Sequence, residues 1–276
     1  MAIVTISREL AALGDETAHE LADLLKYRFI DKPGLEERMK QFGVNEQKIE
    51  RYDERRPNLF ASLSQDRDDY LHYLKTAIFY EAGQGGCVLI GRGCSAILGE
   101  LPAVFSVFLA APPEIRVERV KGYFHCDERR ARQIIEQSDR DREGFHRYFF
   151  DIKWKDPSHY HLTLNTGTFH PGLCADIIKH ALEKSIDGET EARGALLIKD
   201  RILGQQTLQH ILVEKHIQVR FLEAQAVSGE ITLFGVAGSP AVAEAAVQTA
   251  KEVPGVVSVK SEIQVVQEYA GAMGAF

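Results

Sequence analysis

Residues 3–25 read IVTISRELAALGDETAHELADLL. An apolar, β-branched run enters a short turn, and the turn enters an amphipathic helix. That order builds a phosphate site. Successive backbone N–H groups at the start of a helix point at an anion, and the helix dipole favours negative charge there. The residues placed to take part are Ser7, Arg8, Gly14, Asp15, Glu16 and Thr17. Yet the turn has one glycine and no lysine, and it carries two acids. Like charges at ~4 Å repel by about 4 kcal/mol at an effective dielectric of 20. Arg8 could supply the missing cation, and the Thr17 hydroxyl could hold a metal ion. The alternative is that Asp15 and Glu16 simply occupy the first turn of a helix, where the dipole favours acids.

Three further groups could do chemistry. Arg92, in LIGRG, closes an apolar strand flanked by Gly91 and Gly93, and an arginine there presents a rigid fork to phosphate or to a base. In DRDREGFHR, helical spacing puts Arg140 and Arg147 on one face and Asp139, Arg142 and His146 on another. Asp141 could orient the arginines; the stretch also reads as a solvated helix laced with ion pairs. Asp31 ends a strand and could cap a helix starting near Pro33. His159 and His161 alternate about Tyr160, but no third metal ligand accompanies them.

These groups must be positioned by a larger frame. The chain has 276 residues, 45% of them hydrophobic, which suits one medium domain and one small one. Strands are expected at AIVTI, YRFID, CVLIGRG, VFSVFLAA and YHLTLNT, with helices between them. Such alternation implies right-handed crossovers and a three-layer α/β fold on a parallel sheet. Ligands of these sheets bind beyond the carboxyl ends of the strands. The polar, glycine-bearing stretch 187–194 reads as a linker. Residues 195–268 then read as an α-β-β-α-β module with a Ser228–Gly229 turn, and 269–276 as a loose tail.

A net charge of −7 argues against wholesale binding to nucleic acid. The four cysteines have neither zinc spacing nor a disulfide framework, no apolar run reaches the ~20 residues of a membrane helix, and the first ten residues are too soon charged for a signal peptide. A cytoplasmic protein is expected.

TISRE, YRFIDK, LIGRGCSAIL, VFLAAPPEIRVERV, DRDREGFHRYF and DPSHYHLTLNT, in this order, resemble the cytidylate kinase-like family of P-loop proteins across residues 1–186. The hairpin GEITLFGVAGS, the helix after it and VPGVVSV resemble a BON domain across 195–268. The first resemblance implies the nucleoside monophosphate kinase fold, ATP and Mg2+ as cofactors, and a pyrimidine monophosphate as acceptor. It implies that Arg92, Asp31 and Arg38 serve the monophosphate, that Arg140 and Arg142 close a lid on the transferring phosphate, and that Asn165 and Thr166 lie on the adenine side. Similar proteins carry a glycine-rich turn after SRE; here Ala11 and Leu13 stand where glycines are wanted. The second resemblance implies a protein or membrane-surface partner. Between Asp187 and Phe276 there are 11 acidic against 7 basic residues with no basic stripe, which favours protein or a small ligand over anionic lipid. A homo-oligomer is also compatible. Three readings stay open for the N-terminal segment: an active kinase with a degenerate loop, a weak or inactive nucleotide-binding regulatory protein acting through the BON-like domain, or an assembly module whose kinase-like half is only scaffold.

Overall fold

The computed structural model describes residues 1–44, 46–51 and 64–266. The expected tail 269–276, and part of the charged stretch before Gln84, lie outside them. The chain divides into two compact units, Met1–Ala195 and Leu196–Phe276.

The first unit holds five parallel strands: β1 (Ile3–Arg8), β2 (Arg28–Ile30), β3 (Cys87–Ile90), β4 (Val104–Ala110) and β5 (Leu162–Asn165). Their order is β2-β3-β1-β4-β5, so β1 is central. Helices α1 (Gly14–Leu25), α2 (Lys32–Gln41), α3 (Glu46–Arg51), α4 (Ser64–Gly83), α5 (Cys94–Leu98), α6 (Pro113–Phe124), α7 (Glu128–Phe150) and α8 (Pro171–Ser185) connect or follow them. β1, β3 and β4 are buried along nearly all their length because both faces are covered. On one face Val4, Ile6, Val88, Ile90, Val107 and Leu109 pack against Ala18, Leu21 and Ala22 of α1 and Ala175, Ile178 and Leu182 of α8.

The stretch 187–194, expected as a linker, is instead the beginning of α9 (Gly188–Gln209). Asp187 caps it, accepting the Thr190 N–H at 2.8 Å, and Glu189 and Glu191 occupy the acid-favouring first turn. The Glu191 carboxylate accepts the Ala2 N–H at 2.8 Å. Gly194 marks a close approach, not a break: a Cβ there would lie 2.2 Å from Ala103 Cβ.

In the second unit, β6 (Arg220–Val227) and β7 (Glu230–Ala237) form an antiparallel hairpin, and β8 (Ser258–Val265) pairs parallel with β7 after α10 (Pro240–Lys251). The turn residues Ser228 and Gly229 both have positive φ, as a two-residue hairpin turn requires. Ile231 and Leu233 alternate inward onto Ala246 and Ala250 of α10 and Ile211. With the later turns of α9 this is the expected α-β-β-α-β order.

Candidate functional site

The loop 9–13 joins the central strand β1 to α1. Its backbone is kinked at two non-glycine residues, Ala11 (φ 59°) and Leu13 (φ 51°). Each left-handed residue of this kind costs about 1–2 kcal/mol. The surroundings hold both in place. Arg119 donates to the Ala11 carbonyl at 2.9 Å, while Thr17 donates to the Leu13 carbonyl through its N–H at 3.1 Å and its hydroxyl at 2.7 Å. Leu10 and Ala11 pack against Val117, Val120, Ala131 and Ile135 of the α6–α7 pair. Alanine in place of a loop glycine thus has a packing role.

Leu13 is the N-cap of α1 and offers no side-chain bond, so the first N–H groups of the helix are uncapped. Arg8 crosses this opening. A Cβ on Gly14 would lie 2.4 Å from Arg8 Cγ, and one on Gly91 would lie 2.6 Å from Arg8 Nη1. The arginine therefore spans from the head of α1 to the turn after β3, and it pairs with Asp15 at 3.6 Å. Asp15 is 63% exposed, so the pair is loosely held. Glu16 accepts from the Tyr123 hydroxyl at 3.3 Å, and the buried Ser7 lies 3.2 Å from the Ser95 hydroxyl. Thr17 is wholly buried and its hydroxyl is taken up by the Leu13 carbonyl.

Below the loop lies an ionic quartet that the sequence reading missed. Arg116 of α6 makes a two-pronged contact to Asp139 of α7 at 2.7 and 3.0 Å and reaches Glu9 at 3.2 Å. Lys155 closes the ring, 2.7 Å from Glu9 and 2.8 Å from Asp139. Arg116 Nε donates to the Leu10 carbonyl at 2.8 Å, and Glu9 accepts the Ala111 N–H at 3.2 Å. Burial pushes the Asp139 carboxyl up, but bonds from Arg116 and Lys155 outweigh it and hold the group below its ordinary value. Burial likewise lowers Lys155, and Asp139 and Glu9 raise it beyond that. The available signal was Arg116 and Arg119, three apart on a helix that begins at the carboxyl end of a central strand.

The residues that the resemblance assigns to the monophosphate sit in internal contacts. Arg92 has φ 52° between Gly91 and Gly93, is 1% exposed, and pairs with Glu36 and the Tyr70 hydroxyl. Phe150 lies against Gly93, where a Cβ would meet its ring at 2.3 Å. Arg38 donates to Glu81 at 2.7 Å and lies over the Tyr80 ring. Asp31 caps α2 through the Gly34 N–H at 3.0 Å. A capping role predicts that Asp31→Ala costs about 1 kcal/mol in urea unfolding while Asp31→Asn costs little. On α7, the exposed Arg140 donates to Gln137 at 3.1 Å, and Gln137 donates to the buried Asp141 at 2.6 Å, so Asp141 reaches Arg140 through one amide. Arg142 bonds the Ser138 hydroxyl. Asn165 accepts the Gly167 N–H at 2.9 Å, and Thr166 accepts from Arg119 at 3.2 Å. His161 Nδ1 accepts the Ser106 N–H at 2.9 Å. Among the described residues no three metal-ligating side chains converge, and no helix is long and apolar enough to cross a membrane.

Comparison with known proteins accords with this architecture. No curated protein matches the chain. An uncharacterized protein from Eubacterium ventriosum superposes with a TM-score of 0.52 at 20% identity, over 66% of this chain and 99% of that one. A shikimate kinase from Acinetobacter baumannii, solved with shikimate, gives 0.39 at 15% identity over 68% and 96%. The first of these likenesses concerns the fold alone. The BON domain model matches residues 199–267. The model of the cytidylate kinase-like family matches residues 3–168, and the chain belongs to that family.

Proposed function

We propose that the N-terminal unit is a nucleotide-binding module of kinase fold in which phosphoryl transfer is weak or absent, and that it acts as a regulatory protein. One observation carries this reading: the Arg8–Asp15 pair lies across the uncapped start of α1, between Gly14 and Gly91. The protein's own guanidinium occupies the phosphate approach, and its own carboxylate neutralises it. Displacing the exposed Asp15 would release Arg8 to an anion such as the phosphates of ATP. Thr17 does not fit the magnesium role, since its hydroxyl is buried and committed to Leu13, and no step is derived through the metal. The pairings of the buried Arg92 and the partly buried Arg38 point the same way, because a monophosphate would have to compete with Glu36 and Glu81.

A second reading, transfer of the ATP γ-phosphate to a pyrimidine monophosphate, draws support from the exposed Arg140 and its relay to Asp141. A lid arginine so placed could meet developing charge on a phosphoryl group. A coupled assay with ATP, Mg2+ and CMP separates the two. The expected result is no ADP release above background, together with a nucleotide-dependent rise in melting temperature that Arg8→Ala removes. Saturation at a hundred times Kd corresponds to about 2.7 kcal/mol. ADP release that scales with protein and vanishes in Arg92→Ala would establish the second reading instead. Neither turnover nor a shift would leave the unit a scaffold.

The free cysteines at 87, 94, 126 and 174 suit the cytoplasm. For the C-terminal unit we favour a protein partner over anionic lipid, on its net acidic charge.

A further inference from the structure

The sheet of the C-terminal unit is ordered β6-β7-β8, so β6 and β8 are its edges among the described residues. They are not equivalent. β6 is broken by a register shift between Arg220 and Glu223, with Phe221 at φ 53°, and a bulged edge resists pairing. β8 stays in unbroken register with β7 from Ser258 to Val265. The Val266 N–H bonds Ala237 O, so even-numbered residues turn their backbone groups towards β7 and odd-numbered ones turn theirs outward. Accordingly the Ile263 N–H is met only by its neighbour's hydroxyl, Ser261 Oγ, at 3.4 Å. Val259 and Ile263 pack towards the apolar core, which places Lys260 and Glu262 on the other face. These two form an exposed pair along the strand at 2.6 Å.

We propose that this edge is an interface between two copies of the chain, with the β8 strands pairing antiparallel about a two-fold axis at Ser261. The sequence SVKSEIQV is self-complementary in that register. Lys260 faces Glu262 of the copy, and Glu262 faces Lys260. Val259 faces Ile263, extending the apolar side, and Ser258 faces Gln264. Shifting the axis by one residue sets Lys260 against Lys260 or Glu262 against Glu262, and like charges directly opposite are destabilising. The outward backbone groups of the odd residues would complete a six-stranded sheet. The interface is short, so a reversible dimer is expected. This inference does not depend on whether the N-terminal unit binds nucleotide.

Sedimentation velocity of the full chain over a concentration series is the test. The expected result is a monomer–dimer equilibrium. Lys260→Glu and Glu262→Lys, each turning two attractive cross-strand pairs repulsive, should each weaken it about tenfold. The double swap should restore it to within about threefold of wild type. The antiparallel hydrogen-bonded pair at the axis has its Cα atoms ~5.5 Å apart, inside the range a disulfide spans. Ser261→Cys should therefore give a disulfide-linked dimer on oxidation, and adding Lys260→Glu should suppress it. A chain that is monomeric at every concentration overturns the proposal. So does a dimer indifferent to the single swaps, or single-swap losses that the double swap fails to reverse.

Discussion

Replacing Asp15 with lysine is expected to tighten ATP binding by about 30-fold. The carboxylate stands in the first turn of α1, 3.6 Å from Arg8, where the proposed phosphate site would lie. Repulsion of about 4 kcal/mol at 4 Å sets an upper bound for one such charge. Asp15 is 63% exposed, so solvent screens a large part, and about 2 kcal/mol is the reasonable share. The substitution also releases Arg8 and adds a second cation to the uncapped N–H groups. Asp15→Asn should give an intermediate gain, since it removes repulsion without adding charge. Calorimetric titration of both variants, alone and combined with Arg8→Ala, measures the effect. Binding that is unchanged or weaker in Asp15→Lys would mean that the loop is not an anion site. No matching gain in turnover is expected, because Thr17 remains sealed beneath Leu13.

The sheet was legible in the sequence because its central strands are buried on both faces and spell out as apolar, β-branched runs. Val4, Val88 and Val107 are inaccessible to solvent for that reason. The loop was legible in position but not in conformation. Ala11 and Leu13 stand where glycines are wanted, yet both adopt a left-handed backbone, because Arg119, Thr17 and the α6–α7 pair fix their surroundings. Those contacts join residues up to 108 positions apart and leave no local pattern. Arg92 shows the same limit. Its place at the end of β3 could be read from the glycines, whereas its partner Glu36 lies 56 residues away and only folding brings them together. At 187–194 two glycines in a polar stretch suggested a break. An aspartate cap and the close packing of Gly194 on Ala103 make it helical.

The quartet beneath the loop sets the second large effect: Arg116→Met should destabilise the N-terminal unit by about 3–5 kcal/mol at pH 7. The Arg116 side chain is 4% exposed and faces Glu9 and Asp139, which are 10% and 16% exposed. Removing the guanidinium leaves the buried Glu9 and the partly buried Asp139 sharing Lys155, and it unties Leu10 from α6. An uncompensated buried charge costs far more than the pair contributes when intact. The pH dependence follows from Asp139. In the wild type its folded pKa lies below the unfolded value, so its stabilisation is present above about pH 3.9 and is lost as pH falls through the folded pKa. In Arg116→Met the carboxyl is no longer held down by arginine, and it can take up a proton at a higher pH. The cost of the substitution should therefore shrink between pH 7 and about pH 4.5. Adding Asp139→Asn should recover part of it at pH 7, because the released charge is then absent. Urea unfolding of the three proteins at both pH values measures these differences. A cost below about 1 kcal/mol, or one that does not depend on pH, would show that the quartet does not lock the loop to the α6–α7 pair. A large cost relieved by acid would mean that the quartet braces the loop 9–13 against the α6–α7 pair through its buried charges.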